Sequence, residues 1–507
     1  MSYQLVWFKR DLRWEDHAAL ARSAAMGPIR CIYIIEPTLW LQPDMALQHF
    51  EFIYESLKDL DDELRNQGGG IEVFTGEALD VFNQLWRTEP FNSLHSHLET
   101  GTHFSYQRDH EVAKWCQAHN VNWHEYPQFG VVRGLKNRNL WQAAWEAHMR
   151  APIETPTSLR FWKTIPSKTL EMEPPKNLTH NPSQRQRGGR KRALFELDSF
   201  LTSRSFTYRG GISSPLSAQT ACSRLSAYLA WGSLSMREVV SQTRQKIKEL
   251  DTPDTYWQKA GLNAFLSRLY WHCHFIQKLE SEPGIDWHNV HRGYDGLREE
   301  SFNHDFFEAL KSAKTGWPLV DACVHMLNET GWLNFRMRAM LVTVAAYPLW
   351  LHWRPVGEWL ATRFLDYEPG IHWSQLQMQS GTTGINTMRI YNPIKQAQDH
   401  DPKGKFVKMW LPYMRAVPDT YLFEPHHLPQ SLQNEFGLQV GQHLPFPVVD
   451  FTLATRAAKT RFSKRRQLPE VKIVKKQIID KHSSRKHFSK REKILNSVAK
   501  HNNLELF

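Results

Sequence analysis

Cysteine is sparse and ungrouped. There are five, Cys31, Cys116, Cys222, Cys273 and Cys323, with no CxxC pair. That argues against a zinc site or a redox dithiol and fits a reducing compartment, so a cytoplasmic protein without a metal is expected. No apolar run reaches the ~20 residues needed to span a bilayer. The longest candidate, residues 339–351, is too short, and no membrane association is expected. The chain enters a strand pattern directly at its start, so no secretory leader is expected. No GxGxxG follows that first strand, which removes the dinucleotide fingerprint. No internal repeat is visible.

Acidic charge is lacking in one region. Residues 456–500 hold 16 Lys/Arg against 3 Asp/Glu, a net of +13, which leaves −2 for the rest of the +11 total. The basic character therefore belongs to the tail. Such a tail binds phosphate backbones without sequence preference or is simply solvated.

Aromatics are abundant, at 12% of the 507 residues with 20 Trp. Most of these serve core packing; the others suit flat ligands or stacked bases. The length implies two or more domains.

Residues 1–130 alternate short apolar runs with helical patterns. Gln4-Leu5-Val6-Trp7-Phe8, Cys31-Ile32-Tyr33-Ile34-Ile35, Ile71-Glu72-Val73-Phe74 and Val121-Asn122-Trp123-His124 read as strands. Helices are expected over 47–66 and 105–119. This order implies an α/β domain with a doubly wound parallel sheet. Residues 131–200 are rich in proline and end in Arg185-Gln186-Arg187-Gly188-Gly189-Arg190-Lys191-Arg192. They read as a surface connector, solvated or touching DNA. Residues 201–445 show three- and four-residue apolar spacing over 235–250, 257–280, 318–329 and 331–353, which predicts a large all-α domain. Residues 446–507 form the basic tail, with amphipathic helices expected over 451–466 and 472–500.

Several motifs carry chemistry. The start reads Trp7-Phe8-Lys9-Arg10-Asp11-Leu12-Arg13, where the charges could also cap the sheet edge as a salt-bridge network. Next come Cys222-Ser223-Arg224-Leu225-Ser226-Ala227-Tyr228-Leu229 and Asn263-Ala264-Phe265-Leu266-Ser267-Arg268-Leu269-Tyr270-Trp271. Then Gly316-Trp317-Pro318-Leu319-Val320-Asp321-Ala322 leads to Thr330-Gly331-Trp332-Leu333-Asn334-Phe335-Arg336-Met337-Arg338. Asp366-Tyr367-Glu368-Pro369-Gly370-Ile371-His372-Trp373 and Arg389-Ile390-Tyr391-Asn392-Pro393 follow.

In this order and spacing, over residues 3 to about 430, these motifs resemble the photolyase/cryptochrome family. The resemblance implies an antenna domain, an all-α FAD-binding domain and FAD as cofactor, with a second antenna chromophore of open identity. The usual folate contacts are not evident around Asp44-Met45 or Glu99–Gly101. The FAD-binding residues it implies are Tyr208, Cys222, Ser223, Arg224, Leu225, Ser226, Asn263, Arg268, Phe335, Arg338, Asp366 and Glu368. Helix starts and small hydroxyls suit the flavin diphosphate. The Arg338–Asp366 pair would lie beside the reactive ring, where positive charge favours the anionic reduced flavin. Trp373 and Trp353 match the proximal and middle members of an electron relay. The third position falls near Glu300, with Trp350 and Trp359 as neighbours in sequence. No Asn stands between Asp366 and Trp373, so Pro369, Gly370 and Asn386 are candidates for the side facing flavin N5. An iron–sulfur cluster, carried by one branch of the family on four cysteines, is not expected.

Two departures bear on function. Ala264 replaces a lesion-binding glutamate and Ser267 a lesion-packing tryptophan; Trp271, one turn further, is a candidate substitute. The resemblance implies a light-driven DNA photolyase that splits pyrimidine dimers, with a cryptochrome photoreceptor as the alternative. Expected partners are dimer-containing DNA and, through the tail, nucleic-acid backbone. The protein is expected to be a monomer.

Overall fold

The computed structural model describes residues 2–163, 170–385 and 388–482. Five strands, β1 (Gln4–Phe8), β2 (Ile29–Ile35), β3 (Ile71–Thr75), β4 (Ser93–His97) and β5 (Asn122–Tyr126), form one parallel sheet ordered β3-β2-β1-β4-β5. Alternate side chains of β1 and β2 face opposite layers. Val6, Phe8, Cys31, Tyr33 and Ile35 pack with Phe50 and Ile53 of the Leu47–Asn66 helix. Leu5, Trp7, Ile32 and Ile34 pack with Val81 and Phe82 of the Ala78–Thr88 helix and Val112 of the His103–Ala118 helix.

β4 has no counterpart among the strands expected from sequence. Its sequence, Ser-Leu-His-Ser-His, carries one aliphatic residue yet is buried throughout. Hydrogen bonds take the place of apolar character. Ser93 and His95 bond each other at 2.7 Å, His95 meets Tyr126 at 3.0 Å, and His97 meets Asp11 at 2.7 Å. Period-2 hydrophobicity cannot reveal such a strand.

The segment 131–200 is more than a surface loop. The Trp141–Arg150 helix buries Trp141, Trp145 and Met149, and the two tryptophans pack on Tyr270. The arginine cluster is only partly solvated: Arg187, Lys191 and Arg192 are exposed, and Arg185 and Arg190 are buried in ion pairs. Arg185 is 4% exposed and grips Glu55 with two hydrogen bonds of 3.0 Å. Arg187 also reaches Glu55, and Arg190 reaches Glu238 and Glu15. These carboxylates, distant in sequence, turn the cluster into a staple between the halves. One core runs across that seam, joining Phe50 and Ile53 to Trp231 and Phe265.

The helical half contains the expected helices as Met236–Glu249, Tyr256–Ser281 and Pro318–Thr330. The pattern over 331–353 is not one helix. Gly331 ends the preceding helix in the left-handed region, a new helix spans Phe335–Ala346, and another begins at Trp353. Pro348 explains the break, since its ring and missing N–H cannot continue a helix. In the tail, helices span Phe451–Gln467 and Pro469–His482. The first docks on the body, with Phe462 stacked on Tyr294 at 5.0 Å. The tail is therefore not wholly solvated; the helix expected over 472–500 lies beyond the described residues after 482. Among the described residues no helix is long and apolar enough to cross a membrane.

Candidate functional site

The motif segments converge in the helical half. Leu365 N–H donates to Gly331 O at 2.9 Å, which holds residues 365–366 against the start of the Phe335–Ala346 helix. Arg338 Nη1 and Nη2 then donate to the two Asp366 oxygens at 2.9 Å each. The guanidinium also donates from Nε to Leu333 O at 2.6 Å and covers the Phe364 ring at 4.1 Å. Burial alone would raise the Asp366 carboxyl, but Arg338 and the Ser226 hydroxyl outweigh it and hold Asp366 below its ordinary value.

Around this pair lie polar groups that lack partners. Arg224 has φ 61° and lays its guanidinium over the Trp332 ring at 3.9 Å. Among the described residues no salt bridge reaches Arg224, and burial brings it down to about 10. His272 Nδ1 is buried without a hydrogen bond, and burial lowers that imidazole to about 4, so it is neutral. Asn334 donates to the carbonyls of Ile212 and Ser213, but its Oδ1 has no partner. Cys222, Arg224, His272 and Asp366 are surrounded by protein and still keep solvent contact, so they line a hollow.

This donor set fits a flavin dinucleotide. An unpaired, desolvated arginine suits a diphosphate, and a neutral histidine with a free ring nitrogen suits a polar ring edge. Arg224 would hold the diphosphate, and Arg338, Asp366 and His272 the polar groups beside it, with the Ser226 hydroxyl bonded to Asp366. His272 was not singled out from sequence; its position one residue after Trp271 gave no signal.

The other expected binding residues divide. Tyr208 is buried between Phe200 and Phe265 and bonds Arg268 through its hydroxyl. Leu225 is buried, and the carbonyls of Cys222 and Ser223 accept from Arg204. Phe335 is 51% exposed at the helix start, three residues before Arg338. Asn263 does not face the hollow. It is exposed and donates to Lys259 O of its own helix. Glu368 is also elsewhere. It faces Arg10 of the α/β half at 3.6 Å, and burial raises it to about 7. Asn386 lies outside the described residues. Trp271 is half-buried and packs on His274 and Phe275, while Ser267 is exposed.

Trp353 and Trp373 are neighbours, with ring centroids 5.9 Å apart at 73°. Gly357 allows this approach, because a Cβ there would come within 2.5 Å of the Trp373 ring. Trp353 Nε1 donates to Asn289 at 2.7 Å, and Trp373 Nε1 to the Tyr367 hydroxyl at 3.0 Å. Trp350 and Trp359 pack elsewhere, against Arg298 and Phe307.

A second, narrow cleft of about 50 Å³ opens beyond the ends of β1, β2 and β4. It sits where the strand order reverses, a common ligand position in open α/β sheets. Trp7, Lys9, Glu36, Asp44, Arg108 and Tyr367 help to line it, as do Met45 and Glu99.

Comparison with known proteins agrees with this architecture. Residues 4–132 match the family model for DNA photolyase, and residues 265–464 match that for the FAD binding domain of DNA photolyase. The chain belongs to the photolyase/cryptochrome family, and FAD is its cofactor. It is 26% identical to cryptochrome DASH of Gloeobacter violaceus, over 88% of this chain and 93% of that protein. It is also 26% identical to the deoxyribodipyrimidine photo-lyase of Vibrio cholerae, over 84% and 93%. Among solved structures, a bacterial class III photolyase from Agrobacterium tumefaciens superposes with a TM-score of 0.80 at 22% identity, over 92% of this chain and 98% of that one. An archaeal photolyase from Sulfolobus tokodaii with two FAD molecules gives 0.72 at 25% identity, over 91% and 99%.

Proposed function

We propose that this protein is a blue-light-driven, FAD-dependent DNA photolyase that repairs pyrimidine dimers in the cytoplasm. When bound, FAD supplies light absorption and the electron that splits the dimer. The chain's own residues hold that cofactor, keep it reducible and present a surface to the lesion. Arg338 and Asp366 form the charged floor of the hollow. Trp373 donates an electron towards the hollow and Trp353 refills it, a step favoured by their 5.9 Å ring separation.

The observation that carries the enzyme reading is Phe335. An aromatic ring 51% exposed, one turn before Arg338 on the same helix, offers a flat apolar face for a base turned out of the duplex. Arg336 follows it, with a buried Nε that has no partner and a single long contact to Gln396 at 3.5 Å. A cation beside an exposed ring matches the pairing of phosphate contact with base stacking. The cleft at the sheet end is the proposed place for a second chromophore.

A cryptochrome-type photoreceptor is the second reading, favoured by Ala264 and Ser267. At these two positions the helix offers a methyl group and a hydroxyl in place of a carboxylate and a tryptophan. The test is illumination of the reduced protein with a dimer-containing oligonucleotide, read as restored thymines. Restoration is expected, and Phe335→Asp should abolish it. Full photoreduction without restored thymines would leave the photoreceptor reading. Trp373→Phe should block photoreduction in either case.

A further inference from the structure

Trp373 does not end in apolar packing. Its indole N–H donates to the Tyr367 hydroxyl at 3.0 Å, and Tyr367 in turn donates to Asp44 Oδ2. Asp44 lies in the α/β half, 323 residues before Tyr367, so this chain crosses the seam. All three side chains are buried, Trp373 at 3%, Tyr367 at 2% and Asp44 at 6% exposure. The nearest cation is Arg10, which donates to Tyr367 O at 2.6 Å. Asp286 and Glu358 add like charge from further away. The imidazoles of His372 and His49 flank the Tyr367 ring, and burial keeps both neutral.

We propose that Tyr367 is a redox-active residue that refills oxidised Trp373, with Asp44 as the acceptor of its phenolic proton. The inference rests on the reading of Trp373 as the electron donor to the light-excited flavin, which is the oxidant. Once Trp373 has lost an electron, its indole is a buried cation one hydrogen bond from a phenol, which bonds a buried carboxylate. One electron then passes from the Tyr367 phenol to the Trp373 indole. The Tyr367 O–H bond breaks and a new O–H bond forms on Asp44. Trp373 keeps its N–H and returns to its closed-shell form, leaving a neutral tyrosyl radical and a protonated Asp44. A cation and an anion in a low-dielectric site are thereby replaced by neutral groups, which is the favourable direction for buried charge. Burial pushes the Asp44 carboxyl upward, which also favours its taking the proton. Trp353 lies against Trp373 from another side, so two donors compete for the same hole.

The experiment is electron paramagnetic resonance and transient absorption on the FAD-loaded protein under blue light. A tyrosyl signal is expected in the wild type, with a rise slowed in D2O. Light-minus-dark infrared spectra should show a protonated carboxyl band that Asp44→Asn removes. Tyr367→Phe and Asp44→Asn should lose the tyrosyl signal while retaining bound FAD and the tryptophan-derived signal. A wild-type spectrum that is purely tryptophanyl and insensitive to D2O would overturn the proposal without any variant. Trp373→Phe separates the two levels. Intact photoreduction in that variant would remove the underlying reading. Blocked photoreduction there, with no change in Tyr367→Phe, would remove the tyrosine step alone.

Discussion

Two regions of this molecule bury the same kinds of residue and treat them oppositely. At the seam between the halves, buried carboxylates meet donors. Asp16 accepts from Ser235, Arg237 and the Glu154 N–H. Asp11 accepts from Lys9 N–H at 2.7 Å, His17 at 3.0 Å and His97 at 2.7 Å. In the hollow, Arg224 has no carboxylate, and His272 and Asn334 each keep an unused polar atom. Burying an unpaired polar group costs ~1–3 kcal/mol. The seam avoids most of that cost through internal partners, with Arg13 Nε and Gln48 Oε1 left over, and the hollow carries it until a ligand supplies them. Pairing, more than burial, separates the residues that hold this fold from those that hold its cofactor.

The largest expected effect breaks the comparison directly. Asp16→Asn would leave Arg237 and Arg13 facing a neutral amide in a buried site. Removing one partner of such a pair costs about 3–5 kcal/mol. The carboxyl now sits at about 2, because Arg237, Arg13 and Ser235 outweigh burial. Arg224→Met should do the opposite. Stability without FAD should be unchanged or higher, because a desolvated cation is removed, while FAD retention falls. Urea denaturation with and without FAD reads both. If Arg224→Met destabilised the apoprotein as much as Asp16→Asn, the distinction would collapse.

The second effect is acid sensitivity. Burial lowers His49 to about 4 and His97 to about 3, and His272 in the hollow to about 4. Their folded values lie below the ordinary value of 6.5, so the unfolded chain binds protons first as pH falls. The stability these neutral rings contribute is present above about 6.5 and is lost as pH falls towards 4. Each ring removes ~1.4 kcal/mol per pH unit within that window. FAD should steepen the loss through His272 only. Denaturation midpoints between about pH 7 and pH 5 check this. In His272→Gln, the FAD-dependent part of the slope should vanish.

The legibility of the sequence follows the same division. Apolar periodicity gave β1, β2 and most of the helices to within a few residues, because their partners are generic, but ran through the break at Pro348. It missed β4, whose burial depends on specific polar partners 31 to 91 residues away, such as His95 with Tyr126 and with Gln4. The arginines at 185–192 read as part of a surface connector for the same reason, since Glu55 and Glu238 are distant in sequence. Motif order carried Arg338, Asp366 and the Trp353–Trp373 pair into one place. It could not say that Glu368, two residues after Asp366, turns towards Arg10.

That residue gives the smallest effect and the sharpest placement. Glu368 was expected beside the cofactor and is found at the seam, 5% exposed and 3.6 Å from Arg10. Burial raises its carboxyl to about 7, and Arg10 opposes this only in part. A carboxyl raised in the folded state contributes stability that is complete below the unfolded value of 4.5 and is lost as pH rises through 7. Glu368→Gln keeps the shape of the protonated acid and removes that titration. The variant should match the wild type at about pH 5 and exceed it by about 1–2 kcal/mol at about pH 8. FAD content should be the same in both, because the side chain faces away from the hollow. A pH-independent loss of stability would mean that Arg10 keeps Glu368 ionised, which returns it to the paired charges of the seam. A loss of FAD at unchanged stability would instead place it with Arg224.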